Sequence, residues 1–388
     1  MTVYINHVAA LCALGGDIAD IEKQLFSIAQ SPLKTTDEFT PGRGLPLGIV
    51  DCDLPTVSEP LFNTRNNRLL QAALHQLDDA IAALKQQISG SRIGVVIGSS
   101  TSGIREGELA VNYYRRHGTL PESYDYRQQE IGAPSVFVKN VLQLSGPAWT
   151  ISTACTSGAK ALASAARLIE TGVCDVVIAG GADSLCRLTV EGFSALSAVS
   201  PDICQPFSVN RQGINIGEGA ALFVLSRHPA AVSLRGFGES SDAYHISAPH
   251  PEGAGAVAAM EKALRRAQLR PGQIDYLNLH GTATLQNDSM EARAVNQVFG
   301  EEIHCGSTKA LTGHTLGAAG ALEAAFTWLC LQRDDGCLPV HLWDLQYDES
   351  LPPLTNMASR RGDGAVKVAM SNSFAFGGNN IALILERL

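Results

Sequence analysis

Short apolar runs bounded by Gly, Pro and polar residues alternate along this chain with longer, Ala- and Leu-rich stretches that carry charges on one side. The runs have the length of strands and the stretches the length of helices packed by one face. They predict strands over 92–97, 149–152, 175–179, 219–225, 274–279, 366–370 and 381–385. They predict helices over 65–87, 156–170, 254–267, 289–298 and 317–331. Strands interleaved with helices, with no low-complexity linker, give an α/β layered fold.

The pattern also repeats. The first half runs RIGVVIGSS, then a strand, a turn at Cys155 and a helix, and closes with GINIGEGAALFVLS. The second runs IDYLNLHGTAT, then IHCGSTKALTGHTLGAAGALEAAF, and closes with SNSFAFGGNNIALILE. The seam falls near 225–235, which divides the chain into halves at 1–230 and 231–388. Two packed copies would bring their matching turns to one shared cleft.

Bulk composition narrows the functional classes. With 388 residues, 45% hydrophobic and 17% charged, a large core is available. The formal charge of −9 argues against a nucleic-acid binder, which would show a basic face. Arg105, Arg115, Arg116 and Arg127 are candidates for a local patch that meets an acidic partner. Nine Cys without CxxC spacing, and no visible signal peptide, point to a reducing cytoplasm without structural disulfides. The most apolar long stretch, 316–331, is interrupted by Glu323, so no membrane span is expected.

The chemistry centres on Cys155. The segment 148–153 reads as a buried strand and 154–170 as a helix, with Thr153 as N-cap and Cys155 in the first turn. Free N–H groups and the helix dipole there favour an anion, so the thiol is expected to have a depressed pKa and to act as a nucleophile. The competing reading is a small core residue, because free Cys is among the most buried types. His280 follows an apolar strand and precedes Gly281, a position that favours exposure to a cleft. His314 lies in a Gly-rich loop that opens a helix, five residues after Lys309. Each His alone is more often structural. Together with Cys155 they form a nucleophile with two polarising imidazoles, a zinc site, or no site. The zinc reading lacks both a short ligand motif and a fourth ligand, so no metal is expected. In FAFGGNN at 374–380, Gly377 and Gly378 allow backbone N–H groups to point into a cleft as half of an oxyanion hole, the Cys155 N–H being the other half. The alternative there is a tight hairpin.

The motifs TACTSG at 153–158, HGTAT at 280–284, STKALTGH at 307–314 and NSFAFGG at 372–378 together resemble the β-ketoacyl-acyl-carrier-protein synthases, condensing enzymes of the thiolase superfamily. RQGINIGEG at 211–219 and SDAYH at 241–245 add to the likeness, and the order is the family's. The resemblance implies a thiolase-like five-layered αβαβα fold of two similar halves, usually dimeric. It implies that Cys155 accepts an acyl group carried on the phosphopantetheine arm of an acyl carrier protein, with no cofactor bound by the enzyme itself. A malonyl thioester then loses carbon dioxide, and the enolate attacks acyl-Cys155. His280 and His314 would stabilise the enolate, and Lys309, paired with Glu323, would organise His314 and nearby groups. Asp288 and Glu291 match supporting acids. Thr282, Thr284 and Ser247 match contacts of the arm, with Ser247 standing where many relatives carry Thr. Phe376 matches the gating aromatic, Phe374 flanks it and Phe193 lines the acyl pocket.

Three departures are subfamily marks: Leu285 in place of Pro, Ser208 in place of Asp, and Ile214 in place of Phe. NTRNN at 63–67, GINIG at 213–217 and SFAF at 373–376 look closest to ketosynthases of aryl-polyene clusters. That likeness implies either a homodimer or a heterodimer with a Cys-less, chain-length-factor-like homologue. Two rivals remain. One is a non-catalytic partner subunit, which usually loses the nucleophile. The other is a degradative thiolase, which usually pairs the nucleophile with a second Cys and one His.

Overall fold

The computed structural model describes residues 2–388. Ten strands carry the fold. The first five are β1 (Val3–Leu11), β2 (Ile93–Gly98), β3 (Ala148–Ile151), β4 (Val176–Asp183) and β5 (Gly219–Ser226). The next five are β6 (Val232–Ser241), β7 (Tyr276–Asn278), β8 (Cys305–Gly306), β9 (Val368–Phe374) and β10 (Asn379–Arg387). In space they run β3-β2-β4-β5-β1 and then β6-β10-β9-β7-β8. Counted within its own set, each follows one order: third, second, fourth, fifth, first. In both, the second strand is parallel to its two neighbours and the fifth is antiparallel. The two sets touch where Val3 to Ile5 of β1 pair with Leu234 to Val232 of β6.

Parallel neighbours need crossover connections, and helices supply them. The main ones are α1 (Arg65–His75), α2 (Asp78–Gln87), α3 (Ile104–His117), α4 (Ala133–Val141), α5 (Ser157–Glu170), α6 (Arg187–Ala195), α7 (Ala254–Ala267), α8 (Leu285–Phe299) and α9 (Ala319–Leu331). α5 and α9 pack on each other between the two strand sets and bury Leu162, Ile169, Phe326 and Leu329. They approach closely, because a Cβ on Gly158 would sit 2.9 Å from the Cβ of Ala321. α1 and α4 cover the outer face of the first set through Leu69, Leu70 and Phe137. α7 and α8 cover the second through Met260, Met290 and Val295. The result is the thiolase-like αβαβα stack of five layers.

Several expectations need correction. The helix expected over 65–87 is two helices, because the Gln76 side chain turns inward to bond Ala10 and the Ile18 N–H. The helix expected from 289 starts at Leu285, where the Thr284 hydroxyl caps it by accepting the Asn287 N–H. The strand before Cys155 is not buried. It forms the sheet edge, with Trp149 36% exposed. β1 and β6 escaped the apolar pattern. β1 carries polar Asn6 and His7 around a bulge. β6 carries Gly236 and Gly238, whose Cβ atoms would strike the backbone of α7.

Candidate active site

After β3 the chain turns sharply at Ala154, whose φ of +51° lies in the left-handed region. Local bonds hold the turn: the Ser157 hydroxyl accepts the Thr153 N–H at 2.9 Å and donates to the Ala154 carbonyl at 2.6 Å. The Thr156 hydroxyl donates to the Thr153 carbonyl. Thr156, not Thr153, occupies the N-cap position of α5, and Cys155 sits in the turn before the helix. The strained turn aims the side chain out of the helix axis and into the molecule's interior.

His314 reaches the same point from the second half. Its N–H donates to the Asn215 carbonyl at 2.6 Å, and its carbonyl accepts the Gly217 N–H at 2.9 Å. The GINIGEG segment thereby clamps the loop before α9. His280 follows β7 and is held by Glu291, which accepts the N–H groups of His280 and Gly281 at 2.7 Å each. Asp288 completes the cradle by accepting the N–H groups of Thr282 and Ala283 and, across the site, that of Phe207. Asp288 and Glu291 therefore stand under the backbone of the His280 turn.

The three chemical groups converge. Cys155 Sγ lies 2.9 Å from His314 Nε2, and one ligand-type atom each from Cys155, His280 and His314 all fall within 4.8 Å of one another. The imidazole rings meet edge to face with centroids 5.3 Å apart. All three residues line a cavity of about 410 Å³. Phe193, Ser247, Thr282, Thr284, Phe374 and Phe376 line it too. The Thr282 and Thr284 hydroxyls lie 2.9 Å apart. Phe376 packs against Phe193 with tilted rings at 5.4 Å, and Phe374 meets His280 edge to face at 6.0 Å.

Electrostatics at the site differ from the helix-dipole expectation. Burial pushes the Cys155 thiol up, to about 12, and the positive charge of Lys309 only partly opposes this. His280 and His314 are held well below the usual imidazole range, first by burial and then by Lys309. The resting site is thus a neutral thiol with two neutral imidazoles. Its dielectric shelter is the reason: Cys155, His280 and His314 are all at most 5% exposed.

Lys309 also corrects an expectation. Its ammonium contacts His280, not His314: Nζ lies 3.4 Å from His280 Nδ1 and bonds the His280 carbonyl. An ammonium only donates, so Nδ1 accepts and the His280 proton is fixed on Nε2. Glu323 pairs with the same ammonium, both side chains being almost fully buried. Burial pushes the Glu323 carboxyl up, to about 6, against the pull of Lys309. Removing one partner of such a pair costs about 3–5 kcal/mol, whereas apolar replacement of both is nearly neutral. Lys309→Ala is expected to lower the unfolding free energy by about 3 kcal/mol. Lys309→Met with Glu323→Leu is expected to recover most of that loss. Its condensation should stay impaired, because the His280 proton is no longer placed. Denaturant titration beside a turnover assay separates the two effects.

The oxyanion reading of the Gly-rich turn changes in detail. The Gly377 N–H donates to Ile246 and the Gly378 N–H to Ala375, so both are used within the protein. Cys155 and Phe376 both line the cavity, and their N–H groups are the candidates to meet an oxyanion. As for metal, the Cys155, His280 and His314 atoms are close enough to hold an ion. The Lys309 charge beside His280 opposes a divalent cation there.

Some supporting residues lay outside the motifs. Buried Asp183, at the end of β4, accepts bonds from the Ser99 hydroxyl and from the Thr101 and Gly317 N–H groups, and so ties both halves beneath the site. The signal was an acid closing an otherwise apolar strand. Buried His341 accepts the Ser307 N–H on Nδ1 and donates to the Pro206 carbonyl from Nε2. Burial pulls its imidazole down to about 4. Unfolded, this group binds a proton below about pH 6.5; folded, it does so only below about 4. Acidification through that window therefore favours the unfolded chain. Between pH 7 and pH 5, wild type should lose about 2 kcal/mol more unfolding free energy than His341→Asn. Urea titrations at the two pH values check this, and equal losses would contradict it.

The family profile for the β-ketoacyl synthase N-terminal domain matches residues 63–231, and that for the C-terminal domain matches residues 231–341. The chain belongs to the β-ketoacyl synthase family. It is 36% identical over 317 residues to 3-oxoacyl-[acyl-carrier-protein] synthase 2 of Rhizobium meliloti, covering 76% of this chain and 74% of that one. It is 33% identical to Nodulation protein E of Rhizobium leguminosarum bv. trifolii, over 100% of this chain and 99% of that one. Among solved structures it resembles a ketosynthase (ApeO) in complex with its chain length factor (ApeC) from Xenorhabdus doucetiae. The TM-score there is 0.94 and the identity 46%, over 100% of this chain and 98% of that one.

Proposed function

We propose that this chain is a β-ketoacyl-acyl-carrier-protein synthase that extends an acyl chain by decarboxylative condensation. The observation that carries the reading is the 2.9 Å contact of Cys155 Sγ with His314 Nε2, with His280 beside it in one cavity. In the first stage Sγ attacks the carbonyl of an acyl thioester delivered by a carrier protein. A sulfur–carbon bond forms at Cys155 and the one to the pantetheine sulfur breaks. The thiol proton leaves through the His314 contact and ends on the departing sulfur.

In the second stage a malonyl thioester enters. Its bond to the carboxylate breaks, carbon dioxide leaves, and the electron pair becomes an enolate whose oxygen needs donors. His280 offers Nε2–H, because Lys309 occupies its Nδ1 side. Acylated Sγ has no proton to give, so His314 no longer needs Nε2 as an acceptor, and its Nε2–H tautomer donates to the same oxygen. The enolate carbon attacks the acyl carbonyl on Cys155, whose developing charge meets the N–H groups of Cys155 and Phe376. That attack forms the carbon–carbon bond; collapse of the tetrahedral oxyanion re-forms the carbonyl and expels the Cys155 sulfur, and a solvent proton restores the thiol.

On this reading the nucleophile belongs to residues 1–230 and the imidazoles to 231–388. Lys309 is a positioning residue held by Glu323, and Asp288 and Glu291 support the His280 turn. Thr282, Thr284 and Ser247 hold the arm along the cavity. Phe376, packed against Phe193, separates loading from extension, and Phe374 walls the His280 side. The partners are a carrier protein and a second subunit, either a copy of this chain or a chain-length-factor-like homologue. An aryl-polyene pathway is the finer proposal, supported by NTRNN and SFAF. Among the described residues no helix is long and apolar enough to cross a membrane, and the proposed site of action is the cytoplasm. The non-catalytic alternative is not favoured, because Cys155 is retained and engaged. Intact-mass detection of an acyl adduct that maps to Cys155, after incubation with a panel of acyl-carrier proteins, tests the reading.

A further inference from the structure

Exposed apolar side chains stand at and beside the Cys155 cavity. Leu196 and Leu285 line the cavity and are 59% and 63% exposed. Ile246, beside cavity-lining Ser247, is 80% exposed, and Val209, near cavity-lining Arg211, is 57% exposed. Solitary exposed leucines mean little, but two exposed leucines in the cavity lining, with two more exposed apolar side chains one and two residues along the chain from it, mark a surface that is covered in use. Three Arg side chains on segments that contribute to the cavity lining face carboxylates. Arg211 pairs with Asp348, Arg187 with Glu191, and Arg293 with Glu252. A thioester arm that reaches Cys155 must pass this rim, so the protein that bears the arm must sit on it.

We propose that the carrier protein docks on Leu196, Val209, Ile246 and Leu285 by apolar contact, with little ionic steering. The inference rests on the condensing-enzyme reading and names how its partner is held. Loading of Cys155 is measured with octanoate on a bacterial holo acyl carrier protein, and with octanoyl pantetheine as a small donor that needs no docking. Ile246→Lys and Val209→Ser are expected to raise KM for the carrier-bound donor about fivefold to tenfold each and to leave the small donor unchanged. Raising salt from 50 to 300 mM is expected to change the wild-type KM less than about twofold, because apolar contact is not screened. A lower KM in Ile246→Lys, or a salt-driven loss of about tenfold, would show ionic docking and overturn the proposal. Unchanged KM in both variants would also overturn it. A wild type that loads from neither donor overturns the condensing-enzyme reading, and the docking proposal with it.

Discussion

Cys155→Ala should lose condensation by about 10⁴-fold or more, since nothing else in the cavity can hold the acyl group. The structure sharpens the expectation. Because His280 and His314 remain in place in this variant, slow release of carbon dioxide from the malonyl thioester should persist. Acyl adduct and 3-oxoacyl product should both vanish. The measurement is labelled carbon dioxide release beside intact mass of the protein. Full turnover by the alanine variant would remove Cys155 from the chemistry.

The second large effect separates the imidazoles. His280 does not touch Sγ as His314 does, so His280→Ala should still load Cys155. Condensation should fall about 10²- to 10³-fold, the range for removing one donor to a developing oxyanion. His314→Ala should slow both stages, because the thiol loses its hydrogen-bond partner as well as the enolate donor. Single-turnover loading and steady-state extension, measured separately, distinguish the two. Equal loss of both stages in His280→Ala would contradict the assigned division of labour.

Much of this site was legible from residues in order. Cys155, His280, Lys309, His314 and Phe376 each stand at a strand-to-helix or Gly-rich turn, and turns at matching places in a repeat share a cleft. The apolar pattern also placed seven of the strands, because their cores are uninterrupted runs. What it missed has local physical causes. β6 owes its form to glycines that admit α7, and β8 is too short to show a period. The thiol's charge state was misread, because a linear sequence displays the helix start but not the burial that outweighs it. Lys309 was assigned to the nearer His in sequence, five residues on, whereas folding brings it to His280, twenty-nine residues back. Sequence distance says little once a chain returns through a parallel sheet.

The contact of Gly158 with Ala321 has a wider meaning. Cys155 hangs just before one central helix and His314 just before the other, so the gap between sulfur and imidazole is the spacing of two helical rods read out at their tips. The hydrogen bonds that hold the two turns act on top of that spacing. A methyl group at position 158, several ångströms from any reacting atom, would act as a shim between the rods and detune the thiol from its proton acceptor.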